Sequence, residues 1–342
     1  MKRFKVIFVL IVFMVISVLN NYYAGSFSSL FSNYFIKQGV WFLVSFGFIY
    51  FLRYFNVDFI IDKSIFLYVF GVFLLIVTYL FGIDVNGARS WLKLGFFSIQ
   101  ASEFMRSFLM IYLFHFKDKY DYLSDFKFLL YSFLIVLIPS VLTFIEPDTG
   151  GVILYLCVWF YFIISKRINK FYYIGGSAFI LGFLGLFFFL YFKRQELFID
   201  LFGTSFFYRM DRLVNLGDGY QINEALKSIS NSGLFGIKNY IYFPEAPTDF
   251  AFTLLIANFG YVGLIFLLMV YFYLFKFILE FRYDDLSRCF VFTLLVQFCI
   301  NVFMNIGLFP IMGITLPFIS YGGSSLFSYM LVLGFILNKN KA

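Results

Sequence analysis

Two carboxylates frame the stretch Pro244-Glu245-Ala246-Pro247-Thr248-Asp249-Phe250, where a long polar interval meets a long apolar run. An acid at such a boundary has two roles open to it. Thr248 or Asp249 could cap the helix that the apolar run predicts, or Asp249 could serve as a general base or hold a divalent cation. Glu103 and Arg106 stand three residues apart at the start of another apolar run, so they share one helix face, either as a structural clamp or as the lining of a cavity. Asn86-Gly87-Ala88-Arg89-Ser90-Trp91-Leu92-Lys93 sets a cation on each side of an aromatic that is an interfacial anchor or a binding residue. Glu146-Pro147-Asp148-Thr149-Gly150-Gly151 reads as a tight turn with solvated acids. The run from Leu316 to Ser325 brings Pro317, Gly322, Gly323 and Ser324 into a membrane segment and so permits close backbone approach or a broken helix. It is not a phosphate-binding loop, because no Gly-Lys-Ser/Thr follows.

The elements that hold these residues are almost entirely membrane. Of 342 residues, 62% are hydrophobic and 13% charged, with a mean hydropathy of +0.89, which excludes an ordinary soluble domain. The net charge of +7 is scattered among the apolar runs and forms no stripe, so no nucleic-acid partner is expected. The abundant Phe and Tyr read as compositional bias. Cys157, Cys289, Cys299 and the only histidine, His115, show neither metal nor disulfide spacing. The expected fold is all-α, a single integral membrane domain over 1–342 with ten transmembrane helices. These lie at about 5–22, 38–55, 64–82, 101–116, 127–145, 150–165, 171–192, 249–276, 286–306 and 316–337. The first run follows Lys2, Arg3 and Lys5 but lacks an Ala-x-Ala cleavage site, so it is kept as an uncleaved span.

Orientation follows from the cations. Lys and Arg crowd the termini and one set of alternate short loops, among them Lys63, Lys117, Lys119, Lys166, Arg167, Lys170, Arg282 and Arg288, while the short segments of the other side hold only Lys37, Arg89, Lys93 and Arg106, and six more lie in a loop long enough to count little. The positive-inside rule then puts both termini in the cytoplasm. It also puts Asp249 and the long loop of about 193–248, which carries Arg209 and Arg212, at the outer face. Acids and arginines in an outward cavity suit an enzyme acting on a lipid pyrophosphate and a transporter of an anionic solute nearly equally.

The clusters, in this order, resemble the SEDS family of shape, elongation, division and sporulation proteins, RodA, FtsW and SpoVE. Gly87-Ala88-Arg89-Ser90-Trp91 resembles its Gly-Ala-Arg-Arg-Trp, and Gln100-Ala101-Ser102-Glu103 with Arg106 resembles Gln-Pro-Ser-Glu-x-x-Lys. Pro147-Asp148 with Gly150 is similar to Gln-Pro-Asp-Leu-Gly-Thr, and Pro244-Glu245 with Thr248-Asp249-Phe250 to Pro-Glu-x-His-Thr-Asp-Phe. The run from Leu316 to Ser325 is similar to the family's C-terminal signature.

The resemblance implies a peptidoglycan glycosyltransferase that polymerises lipid II at the outer face of the bacterial cytoplasmic (inner) membrane. It implies work beside a class B penicillin-binding protein and other elongation or division proteins. Asp249 would be the base or a metal-organising carboxylate, with Mg2+ as the cation. Arg89, Lys93, Arg209 and Arg212 would contact phosphate, while Trp91, Glu103, Arg106, Glu245 and Ser324 would line the cavity. The alternatives are a flippase for lipid II or another anionic lipid, and an inactive scaffold of the cell-wall machinery. This chain departs from the family pattern at Ala101 (Pro), Arg106 (Lys), Glu146 (Gln), Pro247 (His) and Ala257-Asn258 (a glutamate pair), and its features divide between the RodA and FtsW/SpoVE branches.

Overall fold

The computed structural model describes residues 2–85, 88–95, 97–204, 207, 219–237, 244–281 and 285–339. Arg209 and Arg212 lie outside these. Among the described residues, ten helices have 16 residues or more: α1 (Lys2–Phe27), α2 (Tyr34–Phe51), α4 (Ser64–Phe81), α5 (Ala101–Lys119), α6 (Asp125–Ile145), α7 (Thr149–Lys166), α8 (Lys170–Lys193), α11 (Ala251–Leu279), α12 (Asp285–Asn305) and α13 (Gly323–Asn338). Shorter ones are α3 (Val57–Asp62), α9 (Gln195–Phe202) and α10 (Tyr220–Asn231). Seven are long and apolar enough to cross a membrane, so the protein is a polytopic, mostly helical membrane protein.

Burial sorts the helices by polarity. α5 carries Ser102, Glu103, Arg106 and Ser107, which lipid would not tolerate, and it packs among α4, α7, α12 and α13. α13 is buried from Ser324 onward except at Phe327 and takes up Ser107 Oγ on its Ser328 carbonyl at 2.9 Å, an interhelical bond of the kind that joins membrane helices. α6, by contrast, turns Phe133, Leu134, Leu137, Ile138 and Val141 outward, as a lipid-facing helix does.

Three features differ from the sequence expectations. The interval between α4 and α5 is an antiparallel meander, β1 (Ile83–Val85), β2 (Ala88–Leu94) and β3 (Phe97–Gln100), and burial alternates along β2 with the period of a strand, Ser90 and Leu92 inward and Arg89 and Lys93 outward. The last helix starts at Gly323, later than the expected 316. Leu316 to Ser320 form a turn in which Ser320 Oγ accepts from Leu316 N at 2.8 Å, and Phe318 adopts φ +63°. α11 is interrupted at Gly260 (φ 65°, ψ −164°). The groups freed there bond to the turn at 233–237: Ile237 N to Ala257 O (2.9 Å), Tyr261 N to Gly233 O (3.2 Å) and Val262 N to Leu234 O (3.1 Å). A Cβ at Gly260 would collide with the Leu234 backbone, so this close approach requires glycine.

Candidate functional site

β3 runs directly into α5, which fixes Gln100 beside the first turn of that helix. One turn along, Glu103 and Arg106 form the ion pair their spacing predicted, with side chains 13% and 5% exposed. Buried charges need further partners to offset lost hydration. Arg106 Nη1 donates to Gln297 Oε1 at 3.2 Å, and the guanidinium stands 5.2 Å from the Tyr329 ring centroid. Gln297 Nε2 in turn donates to the Thr315 carbonyl (2.9 Å) and to Tyr329 OH (2.6 Å), which ties α12 to the chain before α13.

The acids of the turn between α6 and α7 are not solvated. Asp148 caps α7 by accepting from Gly151 N at 2.8 Å on Oδ1, while its Oδ2 accepts from Ser102 Oγ (2.6 Å) and Gln100 Nε2 (2.9 Å). One carboxylate thus joins β3, α5 and α7. Glu146 is 1% exposed, and neither carboxyl oxygen has a hydrogen-bond partner among the described residues. Burial, and next the charge of Asp148, push its carboxyl up to about 8. Gln100, Ser102, Glu103, Arg106, Asp148 and Gly313 contribute to the lining of a narrow polar cleft.

Asp249 lies at the edge of this cleft in the turn Pro244–Phe250. It does not cap α11, whose N-cap is Phe250. Its carbonyl accepts from Asn301 Nδ2 (2.8 Å) and Asn305 Nδ2 (3.0 Å), and Asn305 Oδ1 takes up Thr253 N (3.1 Å) and Oγ1 (2.7 Å). This amide ladder on α12 fixes the Asp249 backbone without using its carboxylate. Glu245 holds the turn at φ +56°, with its carbonyl accepting from Thr248 N (3.2 Å) and Phe250 N (3.1 Å) and its Oε2 from Thr248 Oγ1 (2.6 Å). Asp249 retains partial surface exposure, yet protein atoms crowd its carboxyl. This burial, followed by the charge of Glu245, pushes it up to about 7. Gly313, at φ +68°, separates it from the cleft: a Cβ there would stand 3.9 Å from Asp249 Oδ2.

The remaining predicted residues fall into two groups. Arg89, Trp91 and Lys93 alternate along β2 and so share one strand face, while Ser90 and Leu92 on the other face are buried. Trp91 pairs with Gln100 across β2 and β3, which sets the row beside the cleft. Ser324 Oγ accepts from Gln100 N at 3.0 Å. Sequence reading took Asp148 for a solvated turn residue and missed Gln297, Asn301, Asn305 and Gly313. The signal for three of them was present, since Gln297, Asn301 and Asn305 recur every four residues and make a polar stripe down one face of α12. Asn258, read as a lost glutamate, instead donates to Asn20 Oδ1 at 2.8 Å, while Asn20 donates to the Ala251 carbonyl at 3.2 Å.

The family model for the FtsW, RodA and SpoVE cell cycle proteins matches residues 1–342. The chain belongs to this family. Among FtsW/RodA/SpoVE relatives, it is 31% identical over 300 residues to the probable peptidoglycan glycosyltransferase FtsW of Wigglesworthia glossinidia brevipalpis, covering 79% of this chain and 74% of that protein. It is 32% identical over 296 residues to the stage V sporulation protein E of Bacillus subtilis, covering 79% and 76%. The fold is similar to that of a chain from a peptidoglycan synthase complex (TM-score 0.77, 22% identity, 98% and 96% covered). It is also similar to that of the rod shape determining protein RodA of Thermus thermophilus (TM-score 0.68, 22% identity, 97% and 94% covered).

Proposed function

We propose that this FtsW/RodA/SpoVE-family chain is a peptidoglycan glycosyltransferase that polymerises lipid II, with Asp249 as its catalytic carboxylate. One observation carries the assignment of the residue. Asp249 is fastened through its backbone to Asn301 and Asn305, so its crowded carboxylate is held at a fixed place beside a polar cleft. In the reaction, the 4-hydroxyl of one sugar attacks the anomeric carbon of the other. A new C–O bond forms, the bond to undecaprenyl pyrophosphate breaks with its electron pair leaving on the phosphate, and the hydroxyl proton passes to Asp249. A carboxyl near 7 is suited to take that proton at physiological pH.

Arg89 and Lys93 on the exposed face of β2, with Arg209 and Arg212 of the outer loop, would meet the pyrophosphate. Trp91 between the two strand cations would lie along the sugar or lipid portion. Glu103, Arg106 and Ser324 would shape the cleft, and Glu245 the turn that aims Asp249. Among the described residues no group of three or more His, Cys, Asp or Glu side chains could hold a metal ion. The Asp249 and Glu245 carboxylates nevertheless fit Mg2+, which one or two carboxylates bind together with substrate phosphates. When bound, it would offset charge on the leaving pyrophosphate.

The reading includes ten spans within one domain, both termini in the cytoplasm, an outward-facing Asp249 and residence in the bacterial inner membrane beside a class B penicillin-binding protein and other elongation or division proteins. The experiment is polymerisation of lipid II by the purified chain with its transpeptidase partner and Mg2+. Wild type makes glycan strands, and Asp249→Ala makes none while its melting temperature is retained. Polymer from the Asp249→Ala protein would overturn the assignment.

A further inference from the structure

The turn that carries Asp249 is braced on a second side by aromatic surface. Tyr34, the first residue of α2, and Tyr321, in the chain leading to α13, lie face to face with ring centroids 3.9 Å apart and planes 18° from parallel. Both rings are half-buried, so the pair is a partly open surface.

The stack is fastened to the catalytic turn and to α2. Tyr321 N donates to the Pro247 carbonyl at 2.8 Å, and Ser320 Oγ donates to the Thr248 carbonyl. From the other side Gln38, one turn beyond Tyr34, donates to the Ser320 carbonyl at 3.1 Å and accepts from Gly322 N at 3.3 Å. Tyr321 is therefore held between two clamps, and its ring orientation is set before any ligand arrives.

Polar groups stand beside the rings. Glu245 lies within electrostatic reach of both Tyr34 and Asp249. Its carboxylate accepts from Thr248 Oγ1 at 2.6 Å. A flat, rigid aromatic surface flanked by a carboxylate and a hydroxyl suits a saccharide ring. The C–H face of a pyranose covers aromatic carbon, while its hydroxyls donate to the carboxylate. The cleft of Glu103, Arg106 and Asp148 approaches Asp249 by a different route, through Gly313. A transfer between two sugars needs two such approaches to one base, only one of which must deal with a pyrophosphate.

We infer that Tyr34 and Tyr321, with Glu245 and Thr248 beside them, form a subsite for an uncharged N-acetylhexosamine ring, the acceptor sugar whose hydroxyl meets Asp249. The inference rests on the glycosyltransferase reading for the word acceptor, whereas the saccharide site itself does not.

The test uses the full chain in detergent with the lipid-free disaccharide GlcNAc-β-1,4-MurNAc as probe, followed by saturation-transfer NMR titration, alongside lipid II polymerisation. Wild type binds the disaccharide. Tyr34→Leu and Tyr321→Leu weaken it by about 10-fold, the scale of a lost aromatic contact, whereas Tyr34→Phe, which keeps the ring, binds as wild type does. In polymerisation, Tyr34→Leu raises KM more than it lowers kcat. Should Tyr321→Leu lower the melting temperature, Tyr34→Leu and Glu245→Gln carry the comparison. Disaccharide binding unchanged in Tyr34→Leu, or absent from wild type, overturns the subsite. Disaccharide binding by a wild type that makes no polymer leaves the subsite standing and overturns the polymerase reading.

Discussion

Gly313 faces Asp249 across an ordinary van der Waals gap: the first carbon of any side chain at 313 would stand 3.9 Å from Asp249 Oδ2. At φ +68° the position also disfavours every residue with a Cβ. Gly313→Ala is therefore expected to cost about 1 kcal/mol of stability through backbone strain. The added methyl would meet the carboxylate only at contact distance, so polymerisation should stay close to wild type. Thermal unfolding and lipid II turnover measured together check this. A large loss of turnover at an unchanged melting temperature would contradict this and show that Asp249 depends on the gap at Gly313.

The Glu103–Arg106 pair is buried, and removing one partner strands the other in low dielectric. Arg106→Met should cost about 3–5 kcal/mol. The double variant Glu103→Gln/Arg106→Met should recover part of this, giving a coupling energy of roughly 0.5–3 kcal/mol in a double-mutant cycle. Strictly additive losses would mean that the pair does not act as a unit.

Glu146 predicts a pH dependence of stability. Its carboxyl rises from 4.5 to about 8 on folding. Between those values the folded protein keeps a proton that the unfolded chain has released, so this group lowers stability as pH rises through the window and adds no further slope above it. Glu146→Gln removes the ionisation, and its melting temperature should exceed that of wild type by more at pH 8 than at pH 5. An equal gap at both values would contradict a buried, protonated Glu146.

Asn258 joins α11 to α1 through Asn20. Asn258→Ala should lower stability by about 1 kcal/mol, the scale of an interhelical hydrogen bond in a membrane, and leave the rate of polymerisation close to wild type. A large loss of rate with unchanged stability would mark Asn258 as part of the reaction site.

What the sequence disclosed follows physical range. The Glu103–Arg106 pair was legible because helix spacing alone brings residues three apart together. Asp249 was legible as a costly acid at a span boundary, although not its fastening, since Asn301 and Asn305 reach it from another helix. Asp148 and Glu146 looked equivalent in a turn. Only packing against Ser102 and Gln100 made one a hydrogen-bonded anchor and left the other buried without a hydrogen-bond partner among the described residues. The meander was hidden because three short strands between two spans resemble a polar loop until they pair. The family's missing glutamates at Ala257 and Asn258 looked like a loss, whereas those positions serve the α1 contact and the interruption of α11.

That interruption ties α11 to the chain that precedes it. At Gly260 the freed backbone groups of α11 are completed by residues 233–237, so those residues act as a splice between the two halves of the helix. The upper half runs back from Gly260 to Ala251, directly after Phe250 and Asp249. That half is thus held at both ends, by residues 233–237 at Gly260 and by Asn301 and Asn305 at the Asp249 carbonyl. Residues 233–237 therefore belong to α11 in space, although they precede Asp249 in the chain.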